Sequence, residues 1–157
     1  MRINYQLTTV RKYLLPLVML MALLALLVAV APALAEGRPL TATLTGEAVV
    51  PDPPGGDPDG AGTAELSLNQ GQGEVCFDIS VSNVESPGPA HIHAGAAGVA
   101  GGVVVPLTSS VSNNPNGCVE NVNAELIKAI RQNPANYYVQ VHNAEFPAGV
   151  VRGQLSK

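Results

Sequence analysis

Glu74-Val75-Cys76-Phe77-Asp78-Ile79-Ser80-Val81-Ser82-Asn83-Val84 alternates: Val75, Phe77, Ile79 and Val81 fall on one side, and Cys76, Asp78, Ser80 and Ser82 on the other. Successive side chains of an extended chain leave opposite faces, so a period of two predicts a β-strand with one buried face. Working toward the N-terminus, residues 69–73 read as a turn and 63–68 as a second strand. The segment 51–62, PDPPGGDPDGAG, is too rich in breakers to be anything but a loop. Before it, residues 40–50 alternate loosely, with Leu40, Ala42 and Leu44 opposite Thr41, Thr43 and Thr45. Toward the C-terminus, Pro87-Gly88-Pro89 ends the opening run. A short extended segment follows at 90–94, a glycine-rich loop at 95–102, a strand at 103–107 and a polar loop at 109–117. Asn123 is placed to cap a helix over 124–132, where Leu126, Ile127 and Ile130 recur at helical spacing until Asn133-Pro134 stops it. Strands at 137–143 and 150–155, joined by a turn around 147–149, complete the chain. About seven short strands and one short helix predict a mainly β domain, an antiparallel β-sandwich or Greek-key barrel.

The first 35 residues read differently. Arg2, Arg11 and Lys12 precede an almost wholly apolar run from Tyr13, which ends Ala31-Pro32-Ala33-Leu34-Ala35. Small residues at Ala33 and Ala35 suit signal peptidase, so residues 1–35 are expected to be a signal peptide cleaved after Ala35. The alternative is an uncleaved membrane anchor, because the run is long enough to span. No Cys follows the cleavage point and no twin-Arg pair precedes the run, which points to general export, secreted or periplasmic, with no membrane contact once the signal is removed. Residues 36–157 then form the functional domain. Of the 8 basic residues in the chain, 5 remain there against all 12 acidic ones, a net charge of −7. Such a surface repels nucleic acid and anionic lipid, and neither is expected as a partner.

Both cysteines, Cys76 and Cys118, fall in this domain. An even pair in an exported chain reads as one disulfide, the alternative being two separate buried thiols.

All three histidines, His91, His93 and His142, lie on expected strands. His91 and His93 are two apart and so leave the same face. His142 shares a face with Gln140. If the two strands are close, three imidazoles converge into a copper or zinc site with an open position. Otherwise each ring is hydrogen-bonded into a structural network. Arg152 shares a face with Gln154 and has two readings of its own: a structural cation paired with Glu145 or with loop carbonyls, or an anion guide beside the imidazoles.

The remaining motifs exclude more than they suggest. AGAAGVAGG has no Gly-Lys-Ser/Thr and no helix pattern after it, so it is not a phosphate loop. Asp52, Asp57 and Asp59 lack the spacing and closing Glu of a calcium loop and read as solvated. No nucleophile elbow and no Asn-x-Ser/Thr triplet is present.

Pro89-Ala90-His91-Ile92-His93-Ala94-Gly95, Gly98 and Val103-Val104-Val105-Pro106-Leu107 resemble the middle of the CHRD domain, named after chordin. Tyr137-Tyr138-Val139-Gln140-Val141-His142-Asn143, Pro147-Ala148-Gly149 and Arg152-Gly153-Gln154-Leu155 resemble its closing motif. Asn143 stands where Thr or Ser is more usual, and Val150-Val151 replaces the common Glu/Ala-Ile before Arg; neither change touches a His or Arg position. The resemblance implies an exported domain of the microbial type without an agreed activity. A weaker resemblance is to copper–zinc superoxide dismutase, whose barrel carries an H-x-H strand and a later strand with a copper-binding His; it implies copper at His91, His93 and His142, with Arg152 as a guiding Arg. No histidine is left over for a bridge or a zinc set.

The expectation from the sequence is therefore an exported CHRD-domain binding or structural module for an extracellular or cell-envelope ligand. No nucleophile–base pair or cofactor motif marks an enzyme. The competing expectation is a copper- or zinc-binding protein built on the three histidines.

Overall fold

The computed structural model describes residues 38–50, 55–112 and 114–157. The expected signal at 1–35 and Asp52 of the acidic loop lie outside them. Eight strands form one antiparallel sheet: β1 Leu40–Thr45, β2 Ala61–Asn69, β3 Glu74–Ser82, β4 Ala90–Ala94, β5 Val103–Thr108, β6 Asn116–Val119, β7 Tyr137–Val141 and β8 Val151–Gln154. Their order across the sheet is β5-β4-β7-β8-β1-β2-β3-β6. The sheet curls into a nearly closed barrel, and its two edges, β5 and β6, approach each other without pairing.

The alternation that predicted β3 is the alternation that fills the barrel. Val75, Phe77 and Ile79 are buried, opposite Leu68, Leu66 and Ala64 of β2 in register. Leu40, Ala42 and Leu44 of β1 join them from the other side. One helix, α1 Ala124–Gln132, adds Ile127 and Ile130 to the same core. The Asn123 side chain accepts from the backbone N–H of Glu125 at 2.8 Å and of Leu126 at 3.2 Å, the cap expected from the sequence.

Three expectations need correction. An eighth strand, β6, begins at the end of the stretch that the sequence reads as a polar loop over 109–117 and runs on to Val119. Its residues, Asn116-Gly117-Cys118-Val119, have little strand preference of their own; pairing with β3 and the Cys76–Cys118 disulfide, which joins directly opposed residues, hold them extended. The first strand stops at Thr45 rather than Val50, because Gly46 turns the chain to meet Gly60 and Gly56. Strand β7 stops at Val141, so His142 stands one residue past the strand and not within it. Among the described residues no helix is long and apolar enough to cross a membrane.

Candidate metal centre

On β4, Ala90 and Ile92 enter the barrel core, while His91 and His93 take the outer face. On the neighbouring strand, Val139 and Val141 face the core. Tyr138 and Gln140 share the outer face with the histidines, opposite His93 and His91 in register. Arg152 of β8 lies across from Gln140. This outer face is not wet: Tyr138, Gln140, His93 and Arg152 are 2%, 3%, 6% and 1% exposed. The glycine-rich loop covers it from one side and the turn before β8 from the other. Together they make a second, polar interior outside the barrel wall.

The cover is tied down by side chains. Arg152 donates to the carbonyls of Ala96 at 2.9 Å and Val99 at 3.0 Å. Its guanidinium also lies over the Tyr138 ring, 3.5 Å from the centroid. The Tyr138 hydroxyl accepts from Gly101 N–H and donates to its carbonyl, at 3.0 and 3.3 Å. Gln154 donates to Gly95, Ala135 and Tyr137 carbonyls. Gly101 allows this approach: a Cβ there would overlap the Ala94 carbonyl. Gly149, at φ +137°, seats the other cover against the Gln140 amide, which donates to Ala148. Burial lowers the Arg152 pKa, partly offset by the Tyr138 oxygen. Among the described residues no carboxylate forms an ion pair with Arg152, so Glu145 is not its partner; its guanidinium serves the loop carbonyls and does not face solvent.

The three histidines meet in this interior. His142 reaches it because the pairing of β7 with β4 continues past the strand: its N–H donates to Pro89, and its carbonyl accepts from Gly88. Ring centroids are 5.7 Å apart for His91–His93, 5.2 Å for His91–His142 and 5.6 Å for His93–His142. One ring nitrogen from each lies within 4.8 Å of the others. His93 Nδ1 is 2.9 Å from the Gly101 carbonyl, and His142 Nδ1 is 3.1 Å from the Pro147 carbonyl. A carbonyl only accepts, so each Nδ1 carries the proton and each Nε2 holds a free lone pair. Those Nε2 atoms, and Nδ1 of His91, are buried and find no hydrogen-bond partner among the described residues.

Electrostatics favour the neutral ring at His91 and at His93. Burial is the largest cause lowering the His91 pKa, with the neighbouring His142 and His93 adding to it. His93 is lowered mainly by burial too; the Gly101 carbonyl pulls it back up, and His142 and Arg152 push it further down. A second group with ligand spacing, Glu74, Cys76 and Cys118, offers no thiolate because its sulfurs form the disulfide.

Sequence reading placed the three histidines but missed their supports. Tyr138 was within reach of it, since Tyr138, Gln140 and His142 follow each other at a spacing of two. The carbonyl anchors at Gly101 and Pro147 carry no side-chain signal.

No curated protein and no solved structure matches the chain significantly. The family model for the CHRD domain matches residues 40–155, nearly the whole of the β domain and every residue of the polar interior. The chain belongs to the CHRD domain family.

Proposed function

We propose that this chain is an exported binding domain whose ligand is a copper or zinc ion, held by His91 Nδ1, His93 Nε2 and His142 Nε2. The observation that carries the reading is the set of three buried ring nitrogens with no partner. A buried acceptor left unpaired costs about 1–3 kcal/mol, and one shared cation satisfies all three. Backbone carbonyls behind two of the rings fix tautomer and orientation, as second-shell partners of metal-bound histidines do. An ion bound at about 2.0–2.1 Å from each nitrogen sets them roughly 3.4 Å apart, so the three would close by up to about 1.4 Å, a movement taken up by the half-buried His91 and His142.

Neutral imidazole suits both metals, and the general affinity order favours copper. Three protein ligands leave a coordination position for water or a further ligand. The apolar leader and the disulfide support export. The role proposed is binding.

The test is titration of the metal-free protein with Cu(II) and Zn(II) near pH 7.5. The expected result is one ion per chain, with binding weakening below about pH 6 as protons compete for the nitrogens. His93→Ala is expected to remove most of the affinity and Asp57→Asn none. If neither ion is taken up, or if His93→Ala binds as well as the parent, the metal reading fails. The rings then serve only as ties between the glycine-rich loop and the closing hairpin.

A further inference from the structure

Five basic residues lie among the described residues: Arg38, Lys128, Arg131, Arg152 and Lys157. Arg152 is buried in the polar interior. The other four all line one open cleft of about 550 Å³. Among the described residues no acidic side chain lines it, although acids outnumber bases in this domain. The cations arrive from three separate parts of the chain. Arg38 precedes β1, and Lys157 follows the Thr41–Ser156 bridge that ties the last residues to β1. Lys128 and Arg131 are three apart on α1 and so share a face. Gln70, in the turn after β2, and Gln132 complete the polar wall, and Leu40 lies beneath them.

Four like charges gathered in an acidic domain repel one another, and little offsets that here. Among the described residues the one ion pair is Lys128 with Glu125, at 3.4 Å on the exposed helix surface. A cleft lined by one sign of charge concentrates counter-ions. Its two guanidinium groups suit bidentate contact with oxyanions, its two ammonium groups act as point charges, and its amides can donate to hydroxyl or ester oxygens. The volume is that of a small-molecule site.

We propose that this cleft binds a small ligand carrying two or more oxyanion groups, whether carboxylate, sulfate or phosphate. The acidity of the remaining surface explains why the ligand is small. An extended polyanion would meet repulsion on either side of the cleft, whereas a compact one meets only the four cations. The site is independent of the histidines.

The experiment is calorimetric titration of the disulfide-bonded protein at low salt with trigalacturonate, with inorganic pyrophosphate, and with phosphatidylcholine vesicles containing phosphatidylglycerol. Saturable one-to-one binding of a soluble probe is expected, and the preferred probe identifies the source as a sugar acid or a phosphate. Affinity should fall at least tenfold with Arg131→Glu, and again with Arg38→Glu on a separate segment. It should fall as salt is raised, because exposed charges are screened. His93→Ala should leave it unchanged, which separates this outcome from that of the metal titration. Absence of saturable binding by both soluble probes, binding to vesicles alone, or binding indifferent to both charge reversals would overturn the proposal.

Discussion

The rings of His93 and Tyr138 lie face to face, with centroids 4.9 Å apart and planes 12° from parallel. Both rings also hold Gly101, His93 through Nδ1 and Tyr138 through its hydroxyl. Tyr138→Phe keeps the stack and removes one of these holds. The expected outcome is a loss of about 1 kcal/mol in chemical denaturation, with faster amide exchange confined to the glycine-rich loop. Exchange unchanged in 95–102 would show that the hydroxyl does not restrain the loop.

Arg152 answers two carbonyls and an aromatic face at once. Arg152→Lys keeps the charge but cannot span Ala96, Val99 and the Tyr138 ring with one ammonium. Arg152→Met removes the charge and both side-chain donations, leaving the Ala96 carbonyl only the Val99 N–H. Each variant is expected to lose about 2–3 kcal/mol by urea midpoint, with Lys no better than Met. A lysine variant as stable as the parent would show that charge alone matters at this position.

In the metal-free protein, stability should fall as pH falls. The folded state holds His91 and His93 below the ordinary imidazole pKa, which is about 6.5 in an unfolded chain. Below that value the unfolded state binds more protons than the folded one, so the contribution present above about pH 6.5 is lost on acidification. Urea midpoints at pH 7.5 and pH 5 measure this. A His91→Gln, His93→Gln variant should show a smaller decrease than the parent, and an equal decrease would assign the effect to other groups.

Removing the crosslink tests the barrel's edge. The Cys76–Cys118 bond spans 42 residues of sequence, and the chain-entropy relation assigns such a loop about 4 kcal/mol. Cys76→Ser with Cys118→Ser is expected to lower unfolding free energy by an amount of that order. A change below about 1 kcal/mol would mean that the reduced chain keeps its ends together by other contacts.

Local patterns made much of this structure legible. Asn123, the Leu126-Ile127-Ile130 spacing and Asn133-Pro134 set α1 to the residue, because capping and helical period are short-range properties. The alternation of Val75, Phe77 and Ile79 likewise marked β3. Strand β6 escaped because its extension comes from a partner some 40 residues away in sequence, not from its own residues. The histidines were legible to a point: a spacing of two put His91 and His93 on one face. That His142 joins them depends on β4 lying beside β7, which the strand order decides. The four cations of the cleft were counted in the sequence only as a net charge. Their convergence depends on α1 meeting the start of β1 and the residues that follow β8.

Strand β6 is four residues long and guards one margin of the sheet. Beneath it runs β3, nine residues with alternating apolar side chains and its outer row of N–H and C=O groups committed to β6 and to the Asn114–Pro115 segment. Should β6 peel away, that row becomes a template for a strand from another molecule. The sulfur–sulfur bond sits across this one strand pair. By holding this pair closed, it keeps that row of backbone groups out of another molecule's reach.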